Sequence, residues 1–174
     1  MEEKKEKKVL SISEMLSAPF SPRDIEWRIS RCGAKNGKPY AFVLAYVTNR
    51  AIMDRLDAVV GSFNWKNEYC NGPNGGVLCG LSIRHKGEWL TKWDGAENTN
   101  IEAVKGGLSD AMKRAAVQWG IGRYLYRLPK QMYANVTDLY KGEYYQQKSD
   151  NPKNSYPAFS WDSPELPGWA RSEI

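Results

Sequence analysis

The sequence predicts an α+β fold, an antiparallel β-meander packed on a long central α-helix, in the order helix–strand–helix–three strands–helix. Two patterns and a composition predict it. Residues 100–128 repeat Ile101, Val104, Leu108, Ala111, Met112, Ala115 and Trp119 at three- and four-residue spacing, the period of a helix with one buried stripe. Residues 63–94 hold three short alternating runs joined by turn-rich connections, the period of half-buried strands. A chain of 174 residues, 41% hydrophobic with seven Trp and ten Tyr, carries enough apolar surface for one ordinary core.

Taken in order, residues 1–19 open on MEEKKEKK and are expected to form a charged, mobile arm. Ser21 followed by Pro22 reads as an N-cap and first helical position, and Ile25, Ile29 and Cys32 would share one face of a helix that Gly33 closes. Lys35–Pro39 is a turn, and residues 40–47 are apolar on both faces, as a covered strand is. Asn49 can cap a helix over 50–60, closed by Gly61. Phe63, Trp65 and Tyr69 alternate with polar residues, as do the runs 77–84 and 89–94, and the connections NGPNGG and HKGE are hairpin-like. The meander should bury one face under the central helix.

That helix has a capping box in Thr99 and Glu102, and Gly120 and Gly122 as a stop. Gly106 and Gly107 allow two explanations: close backbone approach, or a later start with Ser109 as N-cap. Lys113 and Arg114 fall opposite the apolar stripe, and Lys105 lies on its flank. Six basic residues (Lys105, Lys113, Arg114, Arg123, Arg127, Lys130) stand against Glu102 and Asp110 over 101–130. Beyond the core, residues 131–174 hold eight aromatics and four prolines without a period, a tail that either wraps the domain or waits for a partner.

Charge supports a polyanionic partner. The formal net charge is +5, with 21 basic and 14 acidic residues in 1–130 against 4 and 6 in 131–174. The absence of an 18-residue apolar run argues against a membrane span, and the start of the chain lacks a signal core, so a cytoplasmic protein is expected. Cys32, Cys70 and Cys79 lack the spacing of a zinc site. The single His85 sits at a hairpin turn, and no phosphate-cradling glycine loop occurs. Asp94, Glu97 and Glu102 could hold Mg²⁺, but a solvated loop explains them better. Neither enzyme chemistry, metal nor cofactor is expected.

The segments AYVTNRAIMDRLDAVVGSFNW and EWLTKWDGAENTNIEAVKGGLSDAMKRAAVQWGIGRYLY resemble the single-strand annealing proteins of the Rad52/22 family, nearest its phage and bacterial Sak-type branch. The resemblance spans residues 20–129. It implies ATP-independent binding and annealing of single-stranded DNA in recombination and double-strand break repair, by a protein that assembles into rings or helical filaments. A single-strand-binding protein or an exonuclease would be a working partner. It also implies that Arg50, Lys105, Lys113 and Arg114 contact DNA. Eukaryotic members of the family tend to carry a further basic residue where Val117 stands here, and Arg123 is expected to compensate. The chain would then divide into the arm (1–19), an annealing core (20–130) and the tail (131–174). A double-stranded-RNA-binding-like module, or a non-enzymatic oligomeric scaffold, shares parts of the pattern.

Overall fold

A computed structural model describes residues 9–97 and 103–172 and divides the chain into two compact units. One unit takes the described residues up to Pro19 together with Val47–Tyr124, and the other takes Phe20–Tyr46 with the chain from Leu125 onward. Among the described residues, no helix is long and apolar enough to cross a membrane.

The first unit holds the predicted core motif. Within the segment expected to be an arm, Ile12–Ser17 (α1) is helical. Ser11 Oγ accepts from the Glu14 N–H while the Glu14 carboxylate accepts from the Ser11 N–H, and Leu16 is buried. Helix α2, Asn49–Val60, starts one residue earlier than expected, because Thr48 supplies the cap by accepting from the Ala51 N–H at 3.1 Å. Gly61 closes it at φ +86°, a backbone state that costs a side-chain-bearing residue energy. Three strands follow: β3 (Trp65–Asn71), β4 (Val77–His85) and β5 (Glu88–Ala96), an antiparallel meander with β4 in the middle. The β4–β5 turn runs through Lys86 (φ +50°) and Gly87 (φ +90°), the two positive φ angles of a tight hairpin turn.

The central helix, α3, spans Ala103–Gln118 and packs on β4 and β5. Its helical start before Gly106 removes the alternative of a start at Ser109, and Gly107 is buried. The expected capping box at Thr99 and Glu102 lies outside the described residues. Ala111, Met112, Ala115 and Ala116 are buried together with Ile52, Leu56, Leu81 and Ile83, so the predicted stripe faces the core. Small alanines on this face let α3 lie close to the sheet.

On β5 the alternation points the other way from what residue hydrophobicity suggests. Lys92 and Asp94 face α3, whereas Trp89 and Trp93 lie on the opposite face, nearly half exposed. Gly80 makes room for this, since a Cβ there would stand 2.6 Å from the Trp93 ring.

The second unit corrects the first predicted helix. After a 3-10 turn at Pro22–Asp24, residues Ile25–Lys35 form a strand (β1) that hairpins into β2, Lys38–Val47. Ile25, Trp27 and Ile29 alternate with Glu26, Arg28 and Ser30, a period of two, and Asn36 and Gly37 adopt φ +51° and +75° at the turn. The observed order is therefore helix–two strands–helix–three strands–helix. A short strand of the tail, β6 (Met132–Tyr133), adds to β2, with Phe42 paired to Tyr133. The rest of the tail builds a sheet of its own from β7 (Asn135–Thr137), β8 (Tyr144–Gln146) and β9 (Phe159–Asp162), with β9 central. Phe159 and Trp161 are buried, and Tyr144 stacks on Trp161 at 4.2 Å between ring centres.

Candidate nucleic-acid interface

The site residues expected from sequence all fall in the first unit. Helix α3 turns its alanines inward, which leaves Lys113 and Arg114 on the far side of the cylinder. Both cations are partnered within the fold. Lys113 Nζ lies 3.4 Å from Asp110 Oδ1 one turn earlier, and Arg114 Nε donates to Asp94 Oδ1 at 2.9 Å. The Arg114 side chain is 54% exposed and that of Lys113 26%. Arg114 uses only its Nε in this bond, so its two Nη nitrogens keep their donors for a ligand. Such a fork matches two oxygens of one phosphate.

Asp94 is the anchor of this arrangement. Besides Arg114, it accepts from the Gly95 N–H at 2.8 Å and from Gln118 Nε2 at 3.5 Å, and Gln118 also bonds the Trp93 carbonyl. Partial burial acts to raise its carboxyl pKa, but the Gly95 N–H, Arg114 and Gln118 outweigh that and hold it below the usual carboxylate range. The carboxylate that sequence reading grouped with Glu97 and Glu102 as a cation holder is thus committed to protein donors. Glu102 lies outside the described residues, and no group of three or more His, Cys, Asp or Glu able to hold a metal occurs among the described ones.

Arg123 is placed differently. It follows Gly120 (φ +94°) and Gly122 (φ +69°), which reverse the chain at the end of α3. The reversal brings its guanidinium back over the last turn, where Nε donates to the Val117 carbonyl at 2.8 Å and Nη2 to the Gln118 carbonyl at 2.7 Å. A cation here satisfies the orphan carbonyls of a helix end. Lys92 does similar work from β5, with Nζ 2.8 Å from the Gln118 carbonyl and 4.4 Å from the centre of the Trp119 ring. Arg55 caps the other short helix: its guanidinium donates to the carbonyls of Met15, Leu16, Ala18 and Pro19.

Arg50 sits exposed in the first turn of α2, where a cation opposes the helix dipole. It has no hydrogen-bond or ion-pair partner among the described residues. The backbone of Lys105 lies in the first turn of α3, and its side chain is outside the described residues. The fold therefore joins Arg114 and Lys113 on one helix surface, leaves Arg50 on a second helix that packs on α3, and commits two of Arg123's nitrogens to structure. Sequence reading missed Asp94 as the partner of Arg114, and Gln118 as a donor that helps hold Asp94. The signal was faint, a lone acid on a strand twenty residues before the arginine it meets.

Comparison with known proteins bears on what such a surface holds. The model of the Rad52/22 family double-strand break repair protein matches residues 8–75 and 80–144. A protein of Deinococcus radiodurans named single-stranded DNA-binding protein DdrA is 36% identical over 170 residues, covering 95% of this chain and 70% of its own. The protein of the same name from Deinococcus deserti is 31% identical over 173 residues, covering 95% of this chain and 73% of its own. No solved structure matches the chain.

Proposed function

The chain belongs to the Rad52/22 family of double-strand break repair proteins, and from that premise we propose that it binds single-stranded DNA and anneals complementary strands during repair. The observation that carries this reading is the similarity to two proteins named for single-stranded DNA binding, which runs over 95% of this chain. The surface of α3 supports it. Arg114 presents a fork with Lys113 beside it, a display suited to phosphate oxygens and indifferent to base identity. Annealing asks for this division of labour. The protein must grip the backbone and leave the Watson–Crick edges free to find their complement.

The finer reading is that Arg50, Lys105, Lys113 and Arg114 line a basic groove, and that annealing needs neither ATP nor metal. Arg123 helps shape the groove by ending α3, and its remaining Nη nitrogen adds charge at that edge. Assembly belongs to this reading too. One subunit offers a short track, and Phe63 (92% exposed), Trp89 and Trp93 leave large apolar surface for neighbouring copies.

The test is a fluorescence assay of annealing between complementary oligonucleotides, with no nucleotide and with a chelator present, paired with mass photometry. Annealing faster than the uncatalysed rate, by particles many times the 19.8 kDa chain, is expected. Annealing that requires ATP or Mg²⁺, or that never exceeds the uncatalysed rate, would refute the function, and a monomer would refute the assembly.

A further inference from the structure

We propose that Asp94 is a positioning residue for the DNA: it clamps Arg114 through Nε and so holds the two Nη nitrogens as a fixed fork for one phosphate. The inference rests on the binding function proposed above and adds a residue whose charge is wrong for DNA. An acid beside a phosphate site repels the ligand, so its presence needs a compensating role.

The geometry supplies that role. Asp94 is itself immobilised, because its carboxylate accepts from the Gly95 N–H and from Gln118, and Gln118 is tied to the Trp93 carbonyl. Gly95 suits the next position, since a Cβ there would stand 2.5 Å from Leu78 Cδ2 and 3.0 Å from the Val77 carbonyl oxygen. Strand β5 therefore delivers the carboxylate to one place, and the Arg114 Nε docks on it at 2.9 Å. Anchoring by Nε is the mode that spares the guanidinium's terminal edge. An arginine ordered before DNA arrives loses less entropy on binding than one that swings freely.

The experiment separates geometry from charge. Asp94→Ala and Asp94→Asn each raise the net charge by one, but only Asn keeps an oxygen that accepts from Arg114 Nε. Affinity for a labelled single-stranded oligonucleotide is measured for both, with circular dichroism to confirm folding. The expected order is Asp94→Asn equal to or tighter than wild type, and Asp94→Ala weaker by roughly three- to tenfold, the range for an immobilised side chain set loose. In an Arg114→Ala background the loss should vanish, and Asp94→Ala should bind no more weakly than its parent. Should Asp94→Ala fail to fold, Arg114→Lys serves instead: it keeps the charge without the fork and should weaken binding while Asp94→Asn does not. The proposal is overturned if the two Asp94 variants bind alike, if Asp94→Asn loses affinity, or if Arg114→Lys binds as wild type does. Wild-type protein that does not hold the oligonucleotide overturns the binding function itself, and that result is read before any variant is made.

Discussion

The middle of α3 and its C-terminal end each carry an arginine, and the fold employs the two in opposite ways. Arg114 gives one nitrogen to Asp94 and keeps two for a ligand. Arg123 gives Nε and Nη2 to the carbonyls of Val117 and Gln118, so most of its donors close the helix. A count of charge along 101–130 treats them as equals. The difference shows that the allocation of donors, more than the number of cations, sets how many N–H groups each part of the helix still offers. Arg55, with four backbone carbonyls around it, is the extreme case of a structural cation.

The contrast breaks most severely at Lys113 and Arg114. Replacing both with alanine should leave the fold intact, because they lie opposite the buried stripe and alanine favours helix. Single-strand affinity should fall roughly tenfold or more, the scale of one lost charge-assisted hydrogen bond. Anisotropy with several unrelated oligonucleotides checks this, and the loss should be the same for each.

Arg123→Ala should show the reverse profile. The loss of the carbonyl contacts should cost about 1 kcal/mol, modest because the residue is exposed, and lower the melting temperature by roughly 2–4 °C. DNA affinity should change far less than in the double variant. A large affinity loss without a stability loss would erase the distinction between the two ends of the helix.

Arg50→Ala sharpens the comparison on a smaller scale, because its two effects differ in sign. Removing a cation from the first turn of α2 should raise stability by about 0.3–1 kcal/mol, while single-strand affinity falls mildly. Thermal melts and anisotropy on the same preparation check both. Lys148, paired with Asp150 and well exposed in the tail, is the control, and Lys148→Ala should alter neither.

Much of this fold is legible in the sequence, and the misses have physical causes. The period of α3 and the alternation of the meander are strong signals, because each repeats over many residues, and the stripes on α3 and on β4 (Cys79, Leu81, Ile83) are buried in fact. Residues 25–32 misled because Ile25, Ile29 and Cys32 satisfy a helical spacing while Ile25, Trp27 and Ile29 satisfy a strand spacing. Three β-favouring side chains and the Asn36–Gly37 turn settle the conflict for the strand. The tail gave no period because its strands are two to four residues long, too short for one. Lys113 and Arg114 could be found as outward cations from helix geometry alone. The i,i+3 spacing of Asp110 and Lys113 is legible too, but the partner of Arg114 is not, since the Arg114–Asp94 bond joins residues from a helix and a strand, and the Arg123 contacts follow from the chain reversal at Gly120 and Gly122.

The grip proposed for the outer surface of α3 on DNA phosphates is tested most directly by the dependence of affinity on salt. Each phosphate contact on a single strand contributes about 0.7 to the slope of log affinity against log salt. The Lys113→Ala/Arg114→Ala variant should therefore show a slope shallower than wild type by about 1.4 for two lost contacts. An unchanged slope in a folded, normally assembled double variant would contradict the account and move the DNA site away from α3.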